Sequence, residues 1–159
     1  MTTDPPVHLA SLSDAGEIAE MSRDLIEQGL PWRWRRDRVA RAIAAADTNV
    51  AVVRTQAQVT AFGIMEYLEC DAHLVLFAVR PSSQRQGTGS VLLRWLELSA
   101  RFAGAQRIRL EATRENVVAR SFYNEHGYHE RVIRSRMYSG VLDGVCLEKW
   151  LRTHDEQRP

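Results

Sequence analysis

The sequence predicts an α/β domain built on a mixed β-sheet. In the second half of the chain, strand-like segments alternate with helical ones, which favours parallel pairing between those strands. In the middle, three strand-like segments follow one another across short turns, which favours an antiparallel meander. No internal repeat, low-complexity tract or linker interrupts the 159 residues, so we expect a single domain over residues 1–159.

The first half of the chain carries one short strand, two helices and three strands. Ser13 is the predicted N-cap of the first helix, whose apolar residues recur at helical spacing until Gly29 ends the run. The last of these strands, Ala72–Arg80, is almost continuously apolar, which is typical of a central strand covered on both faces. The predicted bounds are, in order, strand Val7–Ser11, the first helix, helix Asp37–Ala46, and strands Asn49–Arg54, Val59–Leu68 and Ala72–Arg80.

The second half begins where Pro81 ends that apolar strand. Asn116 is a plausible cap for the last helix, and Gly127 ends it. The polar tail from Thr153 is expected to fray. The predicted elements are helix Gly87–Ala103, strand Arg107–Thr113, a helix from Asn116 through Glu125, and strands Tyr128–Arg134 and Val145–Trp150.

Composition narrows the class of protein. A formal net charge of +1 disfavours a general nucleic-acid binder and an anionic membrane partner. Cys70 and Cys146 have neither metal-ligand nor disulfide-framework spacing, so we expect reduced thiols and no metal. No apolar run is long enough for a membrane span, and the N-terminus lacks the pattern of a signal peptide. We therefore expect a cytoplasmic protein.

The most informative segment is the polar loop that joins the apolar strand to the following helix. A helix N-terminus offers unpaired amides and a partial positive charge, which bind phosphate oxygens. Gly87 and Gly89 would let a diphosphate approach the backbone closely, and Arg85 adds a full charge. The loop lacks the Lys-Ser or Lys-Thr pair of a triphosphate site and the spacing of a dinucleotide site. On its own it is equally compatible with an ordinary polar loop.

A second motif follows the next strand. It runs Asn116-x-x-Ala119-x-x-Phe122-Tyr123-x-x-x-Gly127-Tyr128. Together with Gln84-x-x-Gly87-x-Gly89 it closely resembles the two signatures of the GNAT N-acetyltransferase superfamily, departing from them only at Arg85, where a glycine is common, and at Tyr128, where Phe is usual. The resemblance is close from about Leu76 to Tyr128 and loose elsewhere. It implies a mixed central sheet of about six to seven strands flanked by about four helices.

The resemblance also implies a co-substrate and its site. Acetyl-CoA would lie against the end of the apolar strand, with its diphosphate on the loop. A backbone N–H near Ala78 or Val79 is the predicted oxyanion donor. The implied binding residues are Phe77, Ala78, Val79, Gln84, Arg85, Gln86, Gly87, Thr88, Gly89, Ser90, Asn116, Ala119 and Tyr123.

Two residues are predicted to be catalytic. Tyr123 is the predicted general acid, because a phenol with a pKa near ~10 can protonate a departing thiolate. It lies two helical turns after Asn116 on the same face, so the adjacent Phe122 should point about 100° away into the core. Glu111 is the predicted general base, because a carboxylate on a central strand costs free energy to bury and is therefore expected to have a partner or a function. A salt bridge to a neighbouring arginine is the alternative, and His73, Glu66 and Glu69 are rival bases.

The acceptor side is the least determined part. The stretch containing Trp32 and Trp34 either packs on the core or cradles an acidic or aromatic acceptor together with nearby arginines, while Glu66 and Tyr138 are further acceptor-site candidates. The resemblance is nearest, weakly, to enzymes that acetylate protein N-termini by direct transfer in a ternary complex. A small-molecule amine is the alternative acceptor, and a non-catalytic acyl-CoA sensor is the alternative function. A monomer and a homodimer are both compatible with the sequence.

Overall fold

The computed structural model describes residues 5–138 and 142–151, which form seven β-strands and four α-helices. This number and order of elements confirm the predicted fold class. The strands are β1 (Val7–Leu9), β2 (Thr48–Thr55), β3 (Gln58–Leu68), β4 (Asp71–Val79), β5 (Arg107–Thr113), β6 (His129–Tyr138) and β7 (Leu142–Trp150). The helices are α1 (Ala15–Leu25), α2 (Arg36–Ala44), α3 (Thr88–Phe102) and α4 (Val117–Glu125).

The strands form one mixed sheet in the order β1-β2-β3-β4-β5-β7-β6. Strands β2, β3 and β4 are an antiparallel meander, and β4 and β5 are the only parallel neighbours among the described strands. Helix α3 makes the crossover between that parallel pair. The last strand, β7, inserts between β5 and β6 and pairs with both in antiparallel fashion.

Each face of the sheet has its own apolar core. Helices α1 and α2 cover what we call the first face, where Ile18, Val39 and Phe62 are fully buried. Helices α3 and α4 cover the second face, where Leu92, Leu96 and other apolar side chains are fully buried. The first-face helices pack over β2, β3 and the end of β4 only, so the first face of β5, β7 and the start of β4 is not covered by these helices.

A β-bulge in β4 decides which side chains lie on which face. Leu74 pairs with Met65 of β3 and Leu76 with Ile64, so Val75 is an extra residue without a partner of its own. Before the bulge, Leu74 packs in the second-face core. After it, Leu76 packs in the first-face core instead. Phe77 therefore points to the second face, whereas His73 points to the first.

Three details differ from the sequence predictions. A short 3-10 turn (Leu12–Asp14) precedes α1, and Ser11 caps it, with its backbone N–H donating to Asp14 Oδ2 (2.8 Å). Ser13 lies within this turn and Asp14 is the N-cap residue of α1, so Ser13 is not its N-cap. Strand β6 runs to Tyr138, because it extends into a hairpin with β7. The start of β4 is not covered on both faces, since Asp71 and His73 lie on the open part of the first face. Within the described ranges no helix is long and apolar enough to cross a membrane.

Candidate active site

The central feature of the site is a split in the sheet between β4 and β5. The two strands pair from Asp71 with Arg107 to Leu74 with Leu110, and the pairing then stops although both strands continue. The bulge at Val75 comes directly after the last pair. From there to Val79, β4 is bonded to β3 alone, so its other edge presents backbone donors and acceptors to the cleft.

The polar loop after β4 leads into the N-terminus of α3 at the second face. No side chain caps this helix, and its N-cap is Gly87, whose φ of 82° lies in the left-handed region. Arg85 also has a positive φ of 63°, which is uncommon for a residue with a side chain. The side-chain amides of the loop glutamines bond within the loop: Gln84 Nε2 donates to the Val79 carbonyl oxygen (3.0 Å) and Gln86 Nε2 to that of Ser82 (3.2 Å). The first amides of α3 have no capping side chain and can donate to a ligand.

The two loop glycines are needed for different reasons. Gly87 is fixed by its backbone conformation, and a side chain there would point into open space. A Cβ atom at Gly89 would lie 3.4 Å from both Phe122 Cζ and Val79 Cγ2. Gly89 therefore lets the start of α3 pack closely against α4 and the end of β4.

An aromatic cluster lies on the second-face side of the cleft. The Phe77 ring stacks on Phe122 with centroids 5.8 Å apart, and Tyr123 meets both rings edge-on at 6.2 and 5.4 Å. Tyr123 is 7% exposed, whereas Phe122 is only partly buried. Phe122 packs against the core, as predicted, but both rings belong to one cluster, and Tyr123 is the more buried of the two.

A histidine and a carboxylate meet on the first-face side of the cleft. His73 Nε2 lies 2.6 Å from Glu111 Oε2, and both side chains are about one-quarter exposed (24% and 28%). Burial acts to raise the pKa of Glu111. The hydrogen bond from His73 and the positive charges of His73, Arg109 and Arg134 outweigh it and hold that pKa below its ordinary value. Glu111 is therefore a carboxylate at neutral pH, so it can accept a proton.

The surroundings of this pair are polar. Cys146 of β7 lies directly opposite Glu111 in the strand pairing, and burial raises the pKa of its thiol. Arg107 forms ion pairs with Asp71 (2.7 Å) and Glu148 (3.0 Å), which neutralise its charge. The described residues contain no group of three or more His, Cys, Asp or Glu side chains placed to hold a metal ion.

The loop, the split strands and the helix that follows are the parts of the chain that known proteins share. Residues 46–130, slightly more than half of the chain, match the family model described as an acetyltransferase (GNAT) domain. The chain belongs to the GNAT acetyltransferase family.

Individual relatives agree with the family assignment. The chain is 34% identical over 87 residues to the [ribosomal protein bS18]-alanine N-acetyltransferase of Escherichia coli K12, covering 55% of this chain and 58% of that protein. It spans about half the length of the curated relatives it matches. The crystal structure of the E. coli ribosomal-protein-S18-alanine N-acetyltransferase shares the fold with a TM-score of 0.79 at 22% identity, over 97% of this chain and 98% of that chain.

A further structure with the same fold was solved with acetyl-CoA. It is yncA, a putative acetyltransferase from Salmonella typhimurium, with a TM-score of 0.80 at 18% identity. The similarity covers 99% of this chain and 98% of the Salmonella chain.

The structure brings the residues predicted to bind acetyl-CoA to one side of the GNAT cleft. Phe77, Ala78 and Val79 form the edge of β4 beyond the split, and residues 84–90 form the loop and the start of α3. Asn116 caps α4 by accepting a hydrogen bond from the Ala119 amide through Oδ1 (3.1 Å). Tyr123 lies on the same helix, within the aromatic cluster.

The predicted acceptor residues are placed differently from one another. Trp34 is 9% exposed within the first-face core, and the Trp32 indole N–H donates to the backbone oxygens of Ala19 and Trp34 (3.1 Å each). Both tryptophans thus have a packing role, and their role at an acceptor stays a prediction. Glu66 pairs with His73 across β3 and β4, so its side chain lies beside the His73–Glu111 pair on the first face. The side chain of Tyr138 lies outside the described part of the chain.

Sequence reasoning missed one connection between the loop helix and α4. His126 Nδ1 lies 2.7 Å from the Phe122 carbonyl oxygen, which makes Nδ1 the donor and Nε2 the acceptor. The Ser90 hydroxyl then donates to Nε2 (2.8 Å). The Ser90 side chain therefore ties α3 to α4, and its backbone amide remains the group that can meet a phosphate. A lone His after a helix gave no signal for this contact.

Proposed function

We propose that this protein transfers the acetyl group of acetyl-CoA to a primary amine, namely the α-amine of a peptide or protein N-terminus. The observation that carries the proposal is the His73–Glu111 pair at the split between β4 and β5, facing the same cleft as the aromatic cluster with Tyr123. The relative from E. coli is named for acetylating the alanine of ribosomal protein bS18, which supports a protein N-terminus as the acceptor.

The residues of the cleft fit acetyl-CoA. The uncapped amides at the start of α3 suit the diphosphate, and no carboxylate among the described residues pairs with the exposed Arg85 side chain, which adds positive charge. The free edge of β4 over Phe77–Val79 suits the amides of the pantetheine arm. Asn116 Oδ1 is already engaged by its cap, so a contact with the arm would use the Nδ2 group as donor.

The reaction requires deprotonation of the amine, stabilisation of the oxyanion and protonation of the thiolate, and the cleft has a group for each. Glu111, held by His73, accepts the proton that the ammonium must lose before its nitrogen attacks the thioester carbonyl carbon. A backbone N–H on the free edge of β4 stabilises the oxyanion while the C–N bond forms. As the C–S bond breaks, the Tyr123 hydroxyl gives its proton to the leaving thiolate, and the second proton of the nitrogen passes to the resulting phenolate, which leaves the neutral amide and the CoA thiol. Direct transfer in a ternary complex requires no acyl-enzyme intermediate.

The decisive experiment is acetylation of defined amines by the purified chain. Acetyl-CoA is mixed with a peptide that has a free N-terminus, with the same peptide N-terminally blocked but carrying an internal lysine, and with small amines. Release of free CoA thiol and the mass of the products are measured. We expect acetylation of the free N-terminus, at a strongly reduced rate in Glu111→Gln. Acetylation of small amines alone would replace the peptide acceptor, and binding of acetyl-CoA without turnover on any amine would indicate a sensor.

A further inference from the structure

The open part of the first face carries a row of charged side chains around Glu111. Arg109 precedes Glu111 by two residues on the same strand, so both side chains point to this face, about 7 Å apart at their Cα atoms. Arg134 of β6 pairs with Gly144 of β7, which places it on the same face two strands away, about 10 Å across. We call Arg109 and Arg134 the cleft arginines.

The cleft arginines are less tightly paired than Arg107: Arg109 has only a long ion pair with Asp71, and Arg134 has none among the described residues. Asp71 is taken by Arg107 (2.7 Å) and reaches Arg109 only at 3.5 Å. The buried Nε atom of Arg109 has no hydrogen-bond partner among the described residues. Glu148 is shared by Arg107 and Arg131. Arg134 is exposed, and the described part of the chain offers it neither an ion pair nor a hydrogen bond.

Two acids of this face lie beside His73 and are not held in an ion pair by an arginine. Glu111 and Glu66 both adjoin His73, one by its hydrogen bond and one by strand pairing. An ammonium group is favoured beside these carboxylates, and a carboxylate is favoured beside the cleft arginines. An extended peptide advances about 3.5 Å per residue, so the side chain of its first or second residue reaches the cleft arginines when its amine is at Glu111.

The two tryptophans already have arginine partners within the protein. The guanidinium groups of Arg23 and Arg35 lie 5.2 and 4.6 Å from the centre of the Trp32 ring, and that of Arg38 lies 3.9 Å from the Trp34 ring. With Trp34 in the core and the Trp32 N–H bonded, these rings are occupied by the protein itself. The cleft arginines therefore remain as the groups that can bind a side chain of the acceptor.

We propose that the acceptor is an acidic N-terminus, in which an aspartate or glutamate at the first or second residue binds the cleft arginines while the α-amine lies at Glu111. This inference rests on the proposed acetylation of an N-terminal amine and adds the class of sequence that the enzyme selects. The same chemistry is available from a free acidic amino acid, and the experiment below includes one.

The test compares hexapeptides that begin Ala-Asp, Ala-Ser and Ala-Arg and are otherwise identical, with free aspartate as a further substrate. For the unmodified protein we expect kcat/KM to be about 3- to 10-fold higher for Ala-Asp than for Ala-Ser, and lowest for Ala-Arg, with the differences shrinking as salt is added. Arg134→Gln should reduce the Ala-Asp preference. Arg134→Glu should move it toward Ala-Arg, a gain that a misfolded protein cannot produce. Arg94→Glu, on α3 at the second face, is the charge-matched control and should keep the original order.

Each outcome separates this inference from the function on which it rests. Acetylation of all three peptides at equal rates, or a preference for Ala-Arg in the unmodified protein, overturns the acidic acceptor and leaves N-terminal acetylation standing. An unchanged preference in Arg134→Glu overturns the role of Arg134. Turnover of free aspartate with every peptide inert supports the carboxylate chemistry but assigns it to a small amino acid. No turnover on any substrate, with acetyl-CoA bound, refutes the proposed function itself.

Discussion

His73 Nε2 and Glu111 Oε2 lie 2.6 Å apart at the level where β4 and β5 stop pairing. One hydrogen bond thus spans the two strands at the mouth of the cleft and fixes the orientation of the carboxylate. Because Glu111 is ionised well below neutral pH, its own titration does not lie in the range in which an α-amine, with a pKa near ~8, loses its proton.

Replacing Glu111 by Gln should lower kcat/KM at every pH between about 6 and 9 without removing the rise of the rate toward alkaline pH. The loss should be about 10²- to 10⁴-fold, as is typical for a general base. The alkaline rise should survive because it comes from deprotonation of the acceptor amine, whereas protonation of Glu111 matters only below its lowered pKa. The measurement is the pH profile of kcat/KM with a peptide substrate.

His73→Gln is the companion variant, since its amide still has a hydrogen-bond donor for Glu111. It should lose less activity than Glu111→Gln and bind acetyl-CoA normally. A wild-type rate in Glu111→Gln would remove the carboxylate from the reaction, and disappearance of the alkaline rise would assign that rise to Glu111 instead of the amine.

The sequence predicted the order of elements and the motif positions, because glycines, caps and alternating strands mark them locally. It did not predict which face His73 uses. Simple alternation along β4 would place His73 and Phe77 on one face, but the bulge at Val75 places them on opposite faces. An uninterrupted apolar run contains no residue that marks an extra position in the strand, so the bulge is visible only from the pairing with β3.

The roles of the aromatic residues also could not be predicted from the local sequence pattern. Trp32 and Trp34 are fixed by Glu27, a buried acid whose Oε1 accepts from the Arg33 amide (2.8 Å) and so shapes the segment between α1 and α2. Helical spacing correctly predicted that the Phe122 and Tyr123 side chains leave α4 in different directions. The close approach of α3 at Gly89 nevertheless brings both rings into one cluster. Such contacts depend on tertiary packing between distant elements.

Gly89→Val should weaken CoA binding at least about tenfold. The Cβ atom alone would lie 3.4 Å from Phe122 and Val79, and the two methyl groups of valine would have to displace one of them together with the start of α3. Gly89→Ala should weaken binding less, because it adds only the Cβ atom. Binding is measured by titration calorimetry, with circular dichroism to show that each variant is folded.

Gly16→Ala is the control for a glycine far from the loop, since its added Cβ lies 3.8 Å from the flexible side chain of Arg36. It should leave CoA affinity unchanged. Unaltered affinity in a folded Gly89→Val protein would contradict the placement of the diphosphate at the start of α3.

Lys149→Met should destabilise the protein by about 2–3 kcal/mol, which is less than the loss for a fully buried pair because 30% of the Lys149 side chain is exposed. Its Nζ atom lies 2.8 Å from Oε2 of the buried Glu97 and also donates to the His126 carbonyl oxygen (2.8 Å). Removing the ammonium leaves the Glu97 charge with the Tyr128 hydroxyl as its remaining described donor (3.1 Å). Urea unfolding gives the free energy.

The double variant Glu97→Gln, Lys149→Met completes this cycle. It should recover at least about half of the loss, because no unpaired charge is then buried and the amide oxygen can still accept from Tyr128. Burial and the neighbouring Glu97 charge raise the pKa of the Tyr128 phenol, so it remains a donor at all ordinary pH values. Equal stability of the Lys149→Met and double variants would show that the charge of Glu97 is not what makes Lys149 necessary.

Tyr123→Phe separates catalysis from packing at the most buried ring of the cleft. The Tyr123 ring is 7% exposed and meets Phe77, Phe122 and Tyr128 edge-on, and all three contacts involve the ring and not the hydroxyl oxygen. Phenylalanine preserves these ring contacts, so the Kd for acetyl-CoA should change little. The variant has no proton to give to the departing thiolate, so kcat should fall about 10²- to 10⁴-fold. Phe122→Leu is the matched control: it disturbs the same cluster but leaves the hydroxyl in place, and it should lose stability more than kcat. If kcat in Tyr123→Phe changes by less than about threefold while the chemical step is rate-limiting, Tyr123 serves the packing of the cleft and the thiolate takes its proton from elsewhere.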